Sequence, residues 1–413
     1  MIIPPWLPTL LGFLIAVGPL STDMYLPAFP AIEASLGGVA GTAQITLATW
    51  FAGLAVGQIT QGTLSDRYGR RAPLMAGTLV YTLASVGCAL APNLLMLSLF
   101  RFLAAFGGSA GMVIPRAIVR DLADGHAAAR LTSRLMLVMG VAPILAPSLG
   151  GLILGVATWR VIFAIMAGFG AICCVLVWKF LPDTLPRQNR VRLSFGGMVT
   201  RYAKILRDRS FITHALMGGF STFAMFAFLG GSPHVFIELY HLTPRMFGAL
   251  FGMAACGFIV ASQINPRILP RFGASRVMRT AVRVFLAAAT VLVVVAFMRP
   301  ASWVLLAIPL MVAMSTNGFN MPNTTIGALS RHASHAGSAS ALMGTLQFMM
   351  GAVSGLTVGL ATDNSARPMA LLMLLGGIGA VTCDLCRPKA PRKPPPARTE
   401  SDMPVIRERS PVA

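Results

Sequence analysis

The segment STDMYLPAFP, residues 21–30, sets a carboxylate, Asp23, inside a long apolar run. Placing an ionised side chain at the centre of a hydrocarbon layer costs roughly 2.5–3.5 kcal/mol, so such a group is expected where it binds a proton, a cation or a partner charge. One other charge falls clearly within an apolar run, Arg101, and its sign is opposite. Counting along a helix at ~1.5 Å per residue, Asp23 lies ~15 Å from Glu33 at one boundary and Arg101 lies ~12 Å from Asn93, so both occupy a similar depth. Two readings stay open: a fixed salt bridge, or a proton acceptor, Asp23, whose affinity is set by the proximity of Arg101 and of a bound solute.

The elements that hold these charges follow from composition. The chain of 413 residues is 55% hydrophobic and 11% charged, with a mean hydropathy of +0.73. A water-soluble core cannot hide that much apolar surface. Twelve runs are long enough to cross ~30 Å of hydrocarbon as helices: 6–28, 42–63, 73–91, 94–116, 132–155, 159–181, 211–233, 246–266, 277–297, 302–323, 338–360 and 367–386. We number them spans 1 to 12. Their length and all-round apolarity exclude a membrane barrel of ~10-residue alternating strands. The expected fold is therefore all-α, twelve membrane helices. Span 1 has no small-residue cleavage site and is expected to be retained rather than removed as a leader.

The net charge of +20 would suit nucleic acid, but the positions of the basic residues explain it otherwise. With the N-terminus inside, 28 of the 33 Lys and Arg fall in inner loops or the tail, four fall outside and Arg101 lies within the membrane. That asymmetry is the positive-inside pattern, and it predicts an inner-membrane protein with both termini cytoplasmic and no nucleic-acid partner. Cys88, Cys173, Cys174 and Cys256 read as small core residues, and the pair Cys383 and Cys386 lacks a second pair to complete a metal site. No cofactor or metal is expected. No nucleotide-binding loop appears, so ATP drive is unsupported, and the scattered histidines do not favour a membrane enzyme or sensor.

The largest polar gap, residues 182–210, divides the spans six and six. It predicts an N-terminal bundle over 1–181, a cytoplasmic linker with a surface-lying amphipathic helix over 192–208, a C-terminal bundle over 211–386, and a basic, proline-rich disordered tail over 387–413. Arg67-Tyr68-Gly69 recurs as Arg271-Phe272-Gly273, and Ser133-Arg134-Leu135-Met136 is echoed by Ser340-Ala341-Leu342-Met343. Similar offsets, 204 and 207 residues, at corresponding places argue for two parallel repeats.

Four segments carry a family resemblance. GTLSDRYGRR (Gly62 to Arg71) resembles the loop signature between spans 2 and 3 of the major facilitator superfamily. There the resemblance implies a conformational latch formed by Gly62, Asp66, Arg67, Gly69 and Arg70. SLFRFLAAFGGSAG from Ser98 is similar to the arginine-bearing fourth helix of that family, with Ala104 where a glutamine is common. GVAPILAPSLGG resembles the antiporter motif of span 5, which implies a kinked, close-packing helix bearing Gly140, Pro143, Pro147, Gly150 and Gly151. STDMYLPAFP and the PRAIVRD run from Pro115 are similar to the Bcr/CflA drug-resistance subfamily.

The resemblance implies export of a small amphiphilic compound in exchange for protons by a monomer in a bacterial inner membrane, with Asp23 and Arg101 coupling the proton. Uptake of a metabolite by proton symport is the alternative, and span 5 weighs against it. In the family spans 1, 4, 7 and 10 line a central cavity, so Tyr25, Met217, Phe220, Phe223, Phe226, Asn317 and Asn320 are the expected substrate contacts.

Overall fold

A computed structural model describes residues 6–39, 41–122, 131, 135, 142, 145–190, 195–332, 336–361 and 363–388. The first half comprises α1 (Leu7–Asp23), α2 (Phe29–Leu36), α3 (Thr42–Tyr68), α4 (Arg71–Leu90), α5 (Leu94–Leu122), α6 (Leu145–Leu154) and α7 (Trp159–Phe180). The linker helix α8 (Phe195–Arg207) follows. The second half holds α9 (Arg209–Pro233), α10 (Pro244–Phe272), α11 (Ala274–Met298), α12 (Val304–Leu329), α13 (Ala336–Ala361) and α14 (Arg367–Cys386). There is no strand among the described residues.

Among the described residues, ten helical stretches are long and apolar enough to cross a membrane, α1 and α2 together counting as one. Two more complete the twelve-helix architecture expected from the sequence. The first, α3, is 27 residues long and less apolar, because Gln44, Thr46, Gln58, Gln61 and Ser65 are buried against protein rather than lipid. The second, α6, is the described part of span 5. Most of span 5 before Leu145, including Gly140 and Pro143, lies outside the described residues, as does the tail from 389 onward.

The internal repeat has a conformational counterpart. Gly69 closes α3 at φ +94 and Gly273 closes α10 at φ +75, each just before the chain turns directly into the next helix. Left-handed backbone at a helix end suits glycine, which has no Cβ to clash. Within the first half α3 packs on α5 and α4 on α5 and α7; in the second, α9 packs on α14 and α13, and α10 on α12. The two halves meet most extensively along α3 and α13, where Thr345 Oγ1 donates to the Ala55 carbonyl at 3.0 Å.

Candidate functional site: a central cavity between two faces

Span 1 is interrupted at its charge. Pro27 has no N–H to offer the carbonyl of Asp23, and Pro30 none for Leu26, so α1 stops at Asp23 and a 3-10 turn over Leu26–Ala28 leads into α2. Interrupted membrane helices are tolerated where protein groups or a cavity satisfy the freed backbone. Arg101, from α5, supplies one such group: its Nη1 donates to the Ser21 carbonyl at 2.9 Å, in the last turn of α1. A cation at a helix C-terminus also opposes the dipole there.

The guanidinium lies over the rings of Tyr25 at 4.1 Å and Trp50 at 4.2 Å, almost wholly buried. The Trp50 indole in turn donates to Thr22 Oγ1 at 3.1 Å. No ion pair joins Asp23 to Arg101, nor does any described residue hydrogen-bond the Asp23 carboxylate. The fixed salt bridge, one of the two readings open from the sequence, is therefore corrected: the charges share a depth, but the arginine spends its contacts on an aromatic clasp and a carbonyl. Two of its nitrogens, Nε and Nη2, are buried without a hydrogen-bond partner.

Asp23 faces a cavity of about 290 Å³ between the halves, and among the described residues it is the one ionisable side chain in the wall. The other walls are Phe51 and Met112 from the first half and Met225, Phe226, Phe251 and Phe348 from the second, with Thr222, Asn317 and Gln347 as polar points. Phe51 and Phe226 stack at 3.7 Å and 9° across the two halves, and Phe348 continues the stack at 6.3 Å from Phe51. Gly351 makes room for this arrangement, since a Cβ there would collide with the Phe226 ring.

Of the expected substrate contacts, Phe226 and Asn317 reach the wall and five do not. Met217 packs with Met278, Val282 and Ala380 on the other side of α9. Phe220 lies against Gly379 of α14, and Phe223 is buried with its carbonyl accepting from Ser354 Oγ at 2.7 Å. Asn320 donates to Ser221, and Tyr25 is fully buried under Arg101. Helical geometry explains α9. At ~100° per residue, Met217 stands ~180° and Phe220 ~120° from Phe226, whereas Thr222 is only ~40° away. A three-residue aromatic spacing thus spirals off the cavity face. Gln347, an amide within an apolar span, is a signal in the sequence for this wall position.

On the linker side a second cavity of about 290 Å³ separates the halves, bounded by Gly62 and Asp66 of α3, Arg116 of α5, Ser338 of α13, and Tyr202 of α8. Arg70 is the hub of the loop beside it. Its Nε and Nη2 meet the Asp121 carboxylate at 2.6 and 3.2 Å, and its Nη1 meets Asp66 at 2.6 Å and Ser65 at 2.9 Å. Its backbone N–H donates to Asp183 at 2.9 Å. Burial disfavours the Arg70 charge, but Asp121 and Asp66 outweigh it and hold its pKa above the ordinary value. Gly69 cannot carry a side chain, because Asp183 occupies the place of a Cβ. Arg67 lies over the ring of Tyr68 at 5.4 Å.

On the opposite face the halves are in close contact. Gly150 abuts the Met24 carbonyl at the break in span 1, Gly151 abuts the Pro244 carbonyl at the start of α10, and Gly248 of α10 faces Pro147 and Ser148. Gly151 and Gly248 thus bring the backbones of the two halves together on this face, while Gly150 packs α6 on the broken span 1 of its own half.

The model of the Major Facilitator Superfamily matches residues 11–356. An MFS-type transporter of Bacillus subtilis (strain 168) is 36% identical over 89% of this chain and 92% of its own length. A bicyclomycin resistance protein homolog of Haemophilus influenzae is 28% identical over 88% of this chain and 91% of its own. Among solved structures, a D-xylose-proton symporter superposes with a TM-score of 0.73 at 15% identity, over 92% of this chain and 95% of that one; this likeness concerns the fold alone.

Proposed function

Because the chain belongs to the Major Facilitator Superfamily, we propose that this membrane transporter exports small amphiphilic compounds from a bacterial cytoplasm in exchange for protons, by alternating access. The linker and both termini are cytoplasmic in this reading, consistent with the 28 to 4 distribution of basic residues. The relative named for bicyclomycin resistance supports a drug-like solute.

The observation that carries the reading is Asp23: a carboxylate at a helix break, without a partner and without another charge beside it in the cavity wall among the described residues. A lone carboxylate shut into an apolar cavity is costly unless it is protonated or compensated by a bound solute. The carrier therefore closes readily with a proton or with a solute, and poorly with neither. That rule produces exchange rather than leak. Arg101 acts as a positioning residue, fixing the end of α1 and hence the depth of the carboxylate. The stacked rings of Phe51, Phe226 and Phe348 supply a flat apolar surface for the solute, and Asn317 and Gln347 supply orienting hydrogen bonds. Asp66 and Arg70 hold the linker-side loop in the present conformation. Release of Asp66 from Arg70 would free it to meet the second half when that side closes.

The test is pH-jump transport in proteoliposomes. Asp23→Asn should retain solute binding and lose accumulation against a gradient. Proton-driven exchange at the parent rate in that variant would place the proton site elsewhere.

A further inference from the structure

The face opposite the linker carries a titratable group outside the cavity. Beyond Pro233 the chain widens into one π turn, His234–Leu239, a backbone irregularity common at functional positions. His234 is buried and both of its ring nitrogens are engaged: Nδ1 lies 2.5 Å from a Glu238 carboxylate oxygen and Nε2 lies 2.8 Å from the Asp363 carbonyl. Both partners are acceptors. A neutral imidazole has one N–H and cannot donate to two acceptors, and an ionised carboxylate has no hydrogen to give back. The observed geometry is satisfied only when the pair holds one additional proton, on Nδ1 or on Glu238.

The π turn packs against α2 of the other half, where Glu33 is buried and accepts the backbone N–H of Ala43 at 2.8 Å, capping the start of α3. Among the described residues, the carboxylates of Glu238 and Glu33 are the acidic groups that bear on His234. Asp363 binds Ser365, Arg367 lies over Phe297, and Arg245 of α10 is exposed. With the extra proton, a positive imidazole or a neutral acid stands between the halves. Without it, Glu33 and Glu238 confront each other across the seam as like charges.

We propose that the His234–Glu238 pair is a second proton-binding site, whose proton closes the face opposite the linker and returns to that same side when the face opens, without crossing the membrane. The partly exposed Glu238 gives it access to that side. The site rests on the proposed orientation and accompanies the exchange at Asp23, but it is separable from it.

The test is the distance between spin labels at Val156→Cys and Met298→Cys, exposed ends of opposite halves on this face, in full-length protein whose native cysteines are replaced. Measurements run from about pH 5 to about pH 9, spanning imidazole titration, with Asp23 present and again in an Asp23→Asn background that removes the cavity carboxylate. The open-to-closed ratio should rise with pH, by up to about tenfold per unit above the midpoint for one proton. Glu238→Gln offers an amide N–H to Nδ1 without needing the proton, so it should stay closed throughout. Glu33→Gln removes the opposing charge and should blunt the opening. A parent distance that ignores pH, or either variant titrating like the parent, overturns the proposal. Loss of the response in Asp23→Asn alone would also overturn it, by assigning the titration to the cavity. Absence of proton-driven transport, with the pair titrating as described, would instead sink the exchange reading and leave this site standing.

Discussion

Gly151→Ala isolates the contact that seals the face opposite the linker. A Cβ built on Gly151 would stand 2.6 Å from the Pro244 carbonyl oxygen and 3.0 Å from its carbon, where ordinary contact begins at 3.4 Å. The two helices must therefore part by about 0.8 Å (3.4 − 2.6), and such overpacking costs about 1–3 kcal/mol. Because Gly151 and Pro244 belong to different halves, the cost falls on the state in which this face is closed. The open fraction should rise roughly 5- to 150-fold. The readout is the labelling rate of Leu229→Cys, a cavity position, by an impermeant maleimide applied to that face. Gly168→Ala is the matched control, since a Cβ there meets nothing within 4 Å. An unchanged rate in Gly151→Ala, with the control also unchanged, would refute the view that α6 forms the seal.

Three further outcomes are expected. Asp121→Asn removes the charge that grips Arg70 from two sides and should lower stability by about 2–3 kcal/mol in a thermal unfolding series, because hydrogen bonds to a buried charge are among the stronger ones. Arg101→Lys keeps the charge but loses the planar stacking on Tyr25 and Trp50; a loss of about 1–2 kcal/mol, together with slowed transport in vesicles, is expected, and parent-like values for both would show that planarity is irrelevant. A reporter enzyme fused after Arg209 should be active only on the cytoplasmic side, and periplasmic activity would reverse the orientation.

How much was legible from sequence depended on the kind of signal. Helices and their number follow from apolar length, and the repeat of Gly69 as Gly273 follows from a local backbone requirement that only the chain itself must meet. Pro27 and Pro30 encode the break beside Asp23 locally, whereas the apolar count alone gives one unbroken span ending at residue 28. Side-chain partners were less accessible. Arg101 and Asp23 lie at one depth, yet depth says nothing of azimuth, and the arginine turns toward Ser21, Tyr25 and Trp50. The same ambiguity sent Met217 and Phe220 to the far side of α9. Whether a membrane helix points a residue to cavity, neighbour or lipid is decided by packing between helices distant in sequence, which periodicity in a uniformly apolar segment does not encode. Phe251 of span 8 and Phe348 and Gln347 of span 11 enter the wall for the same reason.

That Asp23 is the one ionisable side chain among the described residues of the cavity wall also has an electrical consequence. Under the proposed exchange, Asp23 carries one proton inward for each solute that leaves. An uncharged solute then leaves one net positive charge moved inward per turnover, and the membrane voltage adds about 2.3 kcal/mol per 100 mV to the driving force. A singly positive solute cancels that current, and only the proton concentration difference drives it out. The proton on His234–Glu238 goes back to the side it came from and traverses no field. A potassium ionophore that collapses the voltage at constant pH difference should therefore slow export of neutral compounds and spare that of monocations.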